Sequence, residues 1–188
     1  MKTILMVGQN VQALVRRATE ILSQTTEIQI TVYAPKTPEL YGLTVDRLTF
    51  IEGTIDDAGA LTASMLGQQA VYVDLAPEMP AWQVHHLLSA MQGAELNQVY
   101  VNGCVQQELE GQVHWFNRRR NQQTSVEWQQ VMQQLTNGEI NFTYWQGFQS
   151  DGQAIVSYGS ADGRLQHATT QHPAMITDLV GDLNQGAA

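Results

Sequence analysis

The chain has 188 residues, 43% of them hydrophobic and 14% charged, a size and composition suited to one globular domain with its own core. Its net charge of -9, with Arg118-Arg119-Arg120 as the single basic cluster, argues against nucleic-acid binding, which needs clustered Lys and Arg. One cysteine, Cys104, excludes an internal disulfide and suits a reducing cytoplasm, and no apolar run approaches the ~20 residues that span a bilayer, so no membrane role is expected.

Thr3 to Val7 is a short apolar run ended by Gly8, the pattern of a buried parallel strand. Val11, Leu14, Val15, Ala18, Ile21 and Leu22 then recur at helical spacing, with Arg16, Arg17 and Glu20 opposite. Ile28, Ile30 and Val32 with Tyr33 and Ala34 give a second strand, stopped by Pro35, and Leu48 to Glu52 a third, ended by Gly53. Ala58 to Leu66 reads as a helix with Gly67 as its stop, and "AVYVDLAP" as a fourth strand closing on Pro77. Pro80 to Met91 is predicted helical, with Trp82, Leu87, Leu88 and Met91 available for one face, and "QVYVNG" is a fifth strand. Beyond Gly103 follow a polar loop, a helix from about Ser125 to Leu135, "INFTYWQG" as a sixth strand, Ala154 to Tyr158 as a short further strand, and a last helix over Pro173 to Leu183. Strand and helix alternate, which implies right-handed crossovers and an α/β doubly wound parallel sheet in a three-layer α/β/α stack. Ligands of such sheets bind at the carboxyl ends of the strands where strand order reverses.

With the elements placed, "KTILMVG", "VYAP", "FIEGTIDDAGAL", "AVYVDLAP" and "YWQGFQSDGQ" together resemble the atypical short-chain dehydrogenase/reductases of the NmrA-like, NAD(P)H-binding group, best over residues 2–77. The resemblance implies one Rossmann-like domain over residues 1–188 and NADP or NAD as the cofactor. It carries the cofactor site onto Gly8, Gln9, Asn10, Val11, Gln12, Lys36, Gly53, Thr54, Leu75, Ala76, Pro77 and Asn102. The family pattern Gly-x-x-Gly-x-x-Gly falls here on Gly8, Val11 and Leu14. Val11 is the serious departure, because its branched side chain stands where a pyrophosphate oxygen approaches the backbone. The helix start keeps backbone N–H groups near Gln9 to Gln12 that suit an anion. Lys36 stands one place after the basic residue that NADP-preferring relatives carry, and its other reading is a solvated turn lysine. Thr54 follows Gly53 where relatives have Asp, so Asp56 and Asp57 either serve the adenine region or cap the next helix. Leu75 to Pro77 resemble the loop over the cofactor ribose, and packing explains them equally.

The Tyr and Lys four residues apart of standard short-chain dehydrogenases are missing: the chain's two lysines, Lys2 and Lys36, follow no tyrosine at that spacing. The fifth strand ends in Asn102-Gly103-Cys104, with Gln107 in the tyrosine region, so no catalytic residue is assigned. His85 and His86 are adjacent and cannot share a helix face as metal ligands, His114, His167 and His172 have no ligand spacing, and no metal is expected. Cys104 reads as a buried thiol, with a redox role as the alternative. Trp115, Phe116, Trp145 and Phe148 either line a pocket beside the nicotinamide or pack in the core or a homodimer interface.

Two functions follow. One is an NAD(P)-dependent oxidoreductase acting on a small carbonyl or quinone, favoured by the strand-end loops at Gly53 and Leu75 to Pro77. The other is a non-catalytic binding or redox-sensing regulatory protein that has lost cofactor affinity, favoured by Val11.

Overall fold

The computed structural model describes residues 1–36, 46–75, 81–103, 130–131, 133–148, 154–170 and residue 181. Five strands match their sequence patterns closely: β1 (Lys2–Gly8), β2 (Ile28–Ala34), β3 (Leu48–Glu52), β4 (Ala70–Leu75) and β5 (Gln98–Gly103). Among them lie α1 (Val11–Gln24), α2 (Ala58–Met65) and α3 (Ala81–Gly93), and after them β6 (Asn141–Phe148), β7 (Ala154–Gly159) and β8 (Leu165–Thr170). Residues 133–137 are helical as well.

The strands form one sheet in the order β3-β2-β1-β4-β5-β6-β7-β8. From β3 to β6 every pairing is parallel, so the six-strand portion has the 3-2-1-4-5-6 order of the dinucleotide-binding Rossmann fold. The last two strands differ from the all-parallel expectation. β7 runs antiparallel to β6 and β8 antiparallel to β7, joined by a short turn in which the Ser160 hydroxyl meets the Asp162 carboxylate. β8 has no sequence signature: "LQHATT" lacks the alternation of apolar residues that marks a half-buried strand.

Alternation along the strands divides the core in two. Leu5 and Val7 of β1, Val71 and Val73 of β4, and Val99 and Val101 of β5 face α2 and α3, which contribute Leu61, Met65, Val84, Leu87, Ala90 and Met91. Ile4 and Met6, Ala70 and Tyr72, and Tyr100 face α1, whose Leu14, Ala18, Ile21 and Leu22 cover them. Trp82, available by spacing for the same face as Leu87 and Met91, is instead 48% exposed and edge-on to His86 at 5.2 Å.

α1 and α2 each start on a side-chain cap. Asn10 accepts from the Ala13 N–H at 3.1 Å, and Asp57 from the Ala60 N–H at 3.0 Å. At the far end of α1 the Arg47 guanidinium donates to the carbonyls of Leu22, Thr25 and Ile28 at 2.9, 2.6 and 3.1 Å. A fixed cation thus closes the negative end of the helix and joins it to β2 and to the start of β3.

Candidate functional site

Strand order reverses between β1 and β4, whose ends pair through Gly8 and Asp74. On the β2 side of this point a cavity of about 260 Å³ is lined by Val7, Gly8, Gln9, Tyr33, Pro35, Gly53, Thr54, Ile55, Asp56 and Gln83. It therefore gathers the loops after β1, β2 and β3 with the first turn of α3. Of the sequence-predicted residues, Gly8, Gln9, Gly53 and Thr54 meet here, and Lys36 follows the lining Pro35 as an exposed side chain.

Tyr33 shapes this cavity. Its ring is 1% exposed, its hydroxyl donates to the Thr54 carbonyl at 3.0 Å, and a Cβ on Gly53 would lie 2.4 Å from the ring. Glycine is required at position 53 because any side chain meets that ring, an origin independent of a cofactor. Burial, and after it the Asp57 charge, pushes the Tyr33 hydroxyl above the ordinary tyrosine range, which keeps it a neutral donor.

Of the two roles that the sequence left open for Asp56 and Asp57, the helix cap falls to Asp57 alone. Asp57 is the cap of α2, and Asp56 turns to α3, accepting from Gln83 Nε2 at 3.1 Å. Gln83 is 6% exposed and its Oε1 has no hydrogen-bond partner, a buried acceptor whose isolation costs about 1–3 kcal/mol. Neither Tyr33 nor Gln83 was legible as a site residue. Gln83 does carry a signal: it shares the apolar face of Leu87, Ala90 and Met91 by helical spacing, so a glutamine stands where that stripe calls for an aliphatic residue.

At the start of α1 the three positions that the sequence aligned with a glycine pattern differ in their surroundings. A Cβ on Gly8 would sit 3.3 Å from Asp74 Cβ and from the Asp74 carbonyl oxygen and 3.4 Å from Leu14 Cδ1, so Gly8 is needed for close approach of strand and helix. Leu14, on the third glycine position, is fully buried in the α1-side core, and Val11, on the second, is half-buried and packed against that core. Gln9, Asn10 and Gln12 are exposed, with the Asn10 side chain committed to the Ala13 N–H. The first-turn N–H groups of Val11 and Gln12 have no intrahelical partner.

Across the reversal point a polar cluster caps the α1 face of β4 and β5. Asn102 Nδ2 donates to Asp74 Oδ1 at 2.8 Å, and the side chains of Asp74, Arg17 and Asn102 all act on the Tyr72 hydroxyl electrostatically. Burial first, and the Asp74 carboxylate second, raise Tyr72 far above its ordinary value despite Arg17, and burial does the same to Tyr144. Neither phenol is poised for proton exchange near neutrality, in keeping with the missing Tyr and Lys pair. Trp145, beside Asn102 in register, is 2% exposed and stacks on Tyr100 at 5.9 Å, so it packs in the core rather than lining a pocket, its Nε1 without a partner.

Leu75 ends β4, while Ala76 and Pro77 lie outside the described residues, as do Cys104, Gln107, His114, Trp115, Phe116, Arg118 to Arg120, His172 and all but residue 181 of the last expected helix. Among the described residues no cluster of three or more His, Cys, Asp or Glu is placed to hold a metal, and no helix is long and apolar enough to cross a membrane.

No protein-family model and no curated protein sequence matches the chain. Solved structures do resemble it. A Rossmann-fold NAD(P)-binding family protein from Shigella flexneri has a TM-score of 0.61 at 17% identity, over 84% of this chain and 75% of its own. A short-chain dehydrogenase/reductase from Veillonella parvula, in complex with NADP, has a TM-score of 0.62 at 18% identity, over 100% of this chain and 88% of its own. An NADPH-dependent quinone oxidoreductase from Escherichia coli, complexed with NADPH, has a TM-score of 0.57 at 15% identity, over 75% of this chain and 47% of its own. At these identities the likeness establishes the fold: the chain has the Rossmann architecture of NAD(P)-binding proteins.

Proposed function

We propose that this chain is a nicotinamide-dinucleotide-binding protein of the atypical, NmrA-like short-chain dehydrogenase/reductase type, a single domain working in the reducing cytoplasm. The observation that carries the reading is the cavity at the ends of β1, β2 and β3, where a Rossmann fold holds the adenosine half of a dinucleotide. At about 260 Å³ it falls just below the ~300–1,000 Å³ of whole-ligand pockets, a size suited to one nucleoside rather than to the entire cofactor. Tyr33, Ile55 and Gly53 offer the base an apolar wall, Lys36 stands beside the ribose position, and the N–H groups of Val11 and Gln12 face the pyrophosphate. Leu75, Ala76, Pro77 and Asn102 belong to the nicotinamide half of the same reading.

When bound, the dinucleotide supplies hydride for a small carbonyl or quinone, and the protein supplies position and electrostatics. A second reading, a non-catalytic binding or redox-sensing protein on the same scaffold, is favoured by Tyr72 and Tyr144, both held neutral well beyond physiological pH with no lysine beside them. Calorimetric titration with NADPH, NADP, NADH and NAD tests the dinucleotide reading. Micromolar binding of one form supports it, and hydride transfer to a quinone or carbonyl panel then separates enzyme from sensor. No heat, with no rise in melting temperature at millimolar cofactor, refutes it.

A further inference from the structure

We infer that the outer face of α2 and α3 is the contact surface between two copies of this chain, a two-fold helical interface anchored on Trp82 and Leu66. The inference is independent of the dinucleotide reading, because other residues line the cavity.

Both helices cover the same face of the sheet and pack side by side, so close that a Cβ on Gly93 of α3 would fall 3.3 Å from Thr62 Cγ2 of α2. Away from the sheet, Gly59, Ala63 and Leu66 recur at helical spacing on α2, and Trp82, His85 and Ser89 on α3, and all six are exposed. Leu66 is 62% exposed and Trp82 48%, the large apolar side chains of this surface. A single exposed leucine is ordinary, but the setting here is not. In a chain with 18 acidic and 9 basic residues, no Asp, Glu, Lys or Arg occurs from Ala58 to Gln69 or from Ala81 to Ala94. The outer side of α1 shows the usual pattern, with Arg16 and Glu20 exposed. Loss of charge around an exposed tryptophan is the composition of an interface core.

The charge pattern selects a second copy as the occupant. A two-fold contact sets a surface against its own image, so on a chain of net charge -9 a face of average charge would place acid on acid. A charge-free face meets its image without that repulsion. A cationic partner would instead be drawn to the acidic surfaces. α2 and α3 each cross between parallel strands and so run in one direction, with Trp82 in the first turn of α3 and Leu66 at the end of α2. A two-fold axis normal to the helices lays the Trp82 end of one copy on the Leu66 end of the other, and the small residues between them permit close approach. The exposed acids that bound the face, Asp56 and Asp57 before α2 and Glu95 after α3, then oppose one another at the rim. Salt should therefore strengthen the dimer.

Sedimentation equilibrium of the full chain is the test. Helices up to about 20 Å long and 8–10 Å apart present an area at the low end of specific interfaces. The 20.9 kDa chain is therefore expected to dimerise with a Kd on the order of micromolar, several-fold tighter at about 0.5 M than at about 0.05 M salt. Trp82→Glu and Leu66→Lys should each weaken the dimer by about 30-fold or more. The double variant sets glutamate against lysine across the two-fold axis and should recover most of that loss. Ala63→Glu, exposed at the middle of the face, should weaken the dimer likewise and keeps the test open if the Trp82 variant does not fold. A wild type still monomeric at about 100 μM, or a dimer that the single variants leave intact, overturns the inference. Loss in both single variants without recovery in the double one refutes the alignment of Trp82 on Leu66.

Discussion

Replacing Gly53 by alanine probes the joint between fold and site at one atom. The new Cβ would fall 2.4 Å from the Tyr33 ring and hydroxyl, well inside van der Waals contact. The ring is 1% exposed and packed in the same core as Val7, Ile55 and Leu61, so it can yield only toward the cavity that it lines. Forcing it aside costs about 1–3 kcal/mol of overpacking. The hydrogen bond from its hydroxyl to the Thr54 carbonyl, now 3.0 Å, goes with it and adds about 0.5–1.5 kcal/mol. The sum is about 1.5–4.5 kcal/mol, which for a chain of this length lowers the melting temperature by roughly 3–18 °C. Urea unfolding of Gly53→Ala, Tyr33→Leu and the double variant reads the same quantity as a cycle. Because leucine removes the clash, the two changes should couple by at least about 1 kcal/mol. Additive losses, or a Gly53→Ala cost below about 0.5 kcal/mol, would show that the ring does not rest on Gly53.

Four further outcomes follow. Arg47→Met removes three carbonyl contacts at the end of α1 and should cost about 2 kcal/mol by urea unfolding, with Arg47→Lys recovering only part. Tyr72 and Tyr144 have folded-state values raised above the unfolded value near 10, so their contribution is intact below about pH 10 and is lost as pH rises further. Two such groups give a slope approaching about 2.8 kcal/mol per pH unit, read by denaturation between about pH 9.5 and 11.5; a flat profile would contradict their burial. Lys36→Ala should leave melting unchanged and weaken NADP(H) roughly tenfold more than NAD(H) in calorimetry, and equal losses would remove Lys36 from the phosphate position. Val11→Gly should tighten dinucleotide binding several-fold while costing about 1 kcal/mol of stability, since glycine weakens the helix start and vacates a core contact; unchanged affinity in the folded variant would clear Val11 as the obstacle.

The parallel part of the fold was legible because its central strands β1, β2, β4 and β5 are largely buried and therefore read as short apolar runs closed by glycine or proline. Leu48–Glu52 and Gln98–Gly103 were placed to the residue. β8 was not, because an edge strand with one covered face need not carry that composition, and "LQHATT" is held by pairing to β7 rather than by its own pattern. Within the site, Gly8 and Gly53 were found as punctuation, but their causes were not: one admits Asp74 and Leu14, the other Tyr33. These are contacts between residues far apart in the chain, invisible to local spacing. Arg47 shows the same limit, since its partners lie 19 to 25 positions back along the chain. Asp56 and Asp57 illustrate what proximity in sequence leaves undecided. Adjacent and chemically identical, they part company only once α3 brings Gln83 alongside.

The central claim is that the cavity at the ends of β1, β2 and β3 receives the adenosine half of a nicotinamide dinucleotide. A crystal structure of the protein grown with NADPH measures this directly. The account predicts the base against Tyr33 and Gly53, with the phosphates at the N–H groups of Val11 and Gln12. A dinucleotide bound elsewhere, or a cavity unchanged at saturating NADPH, would contradict it.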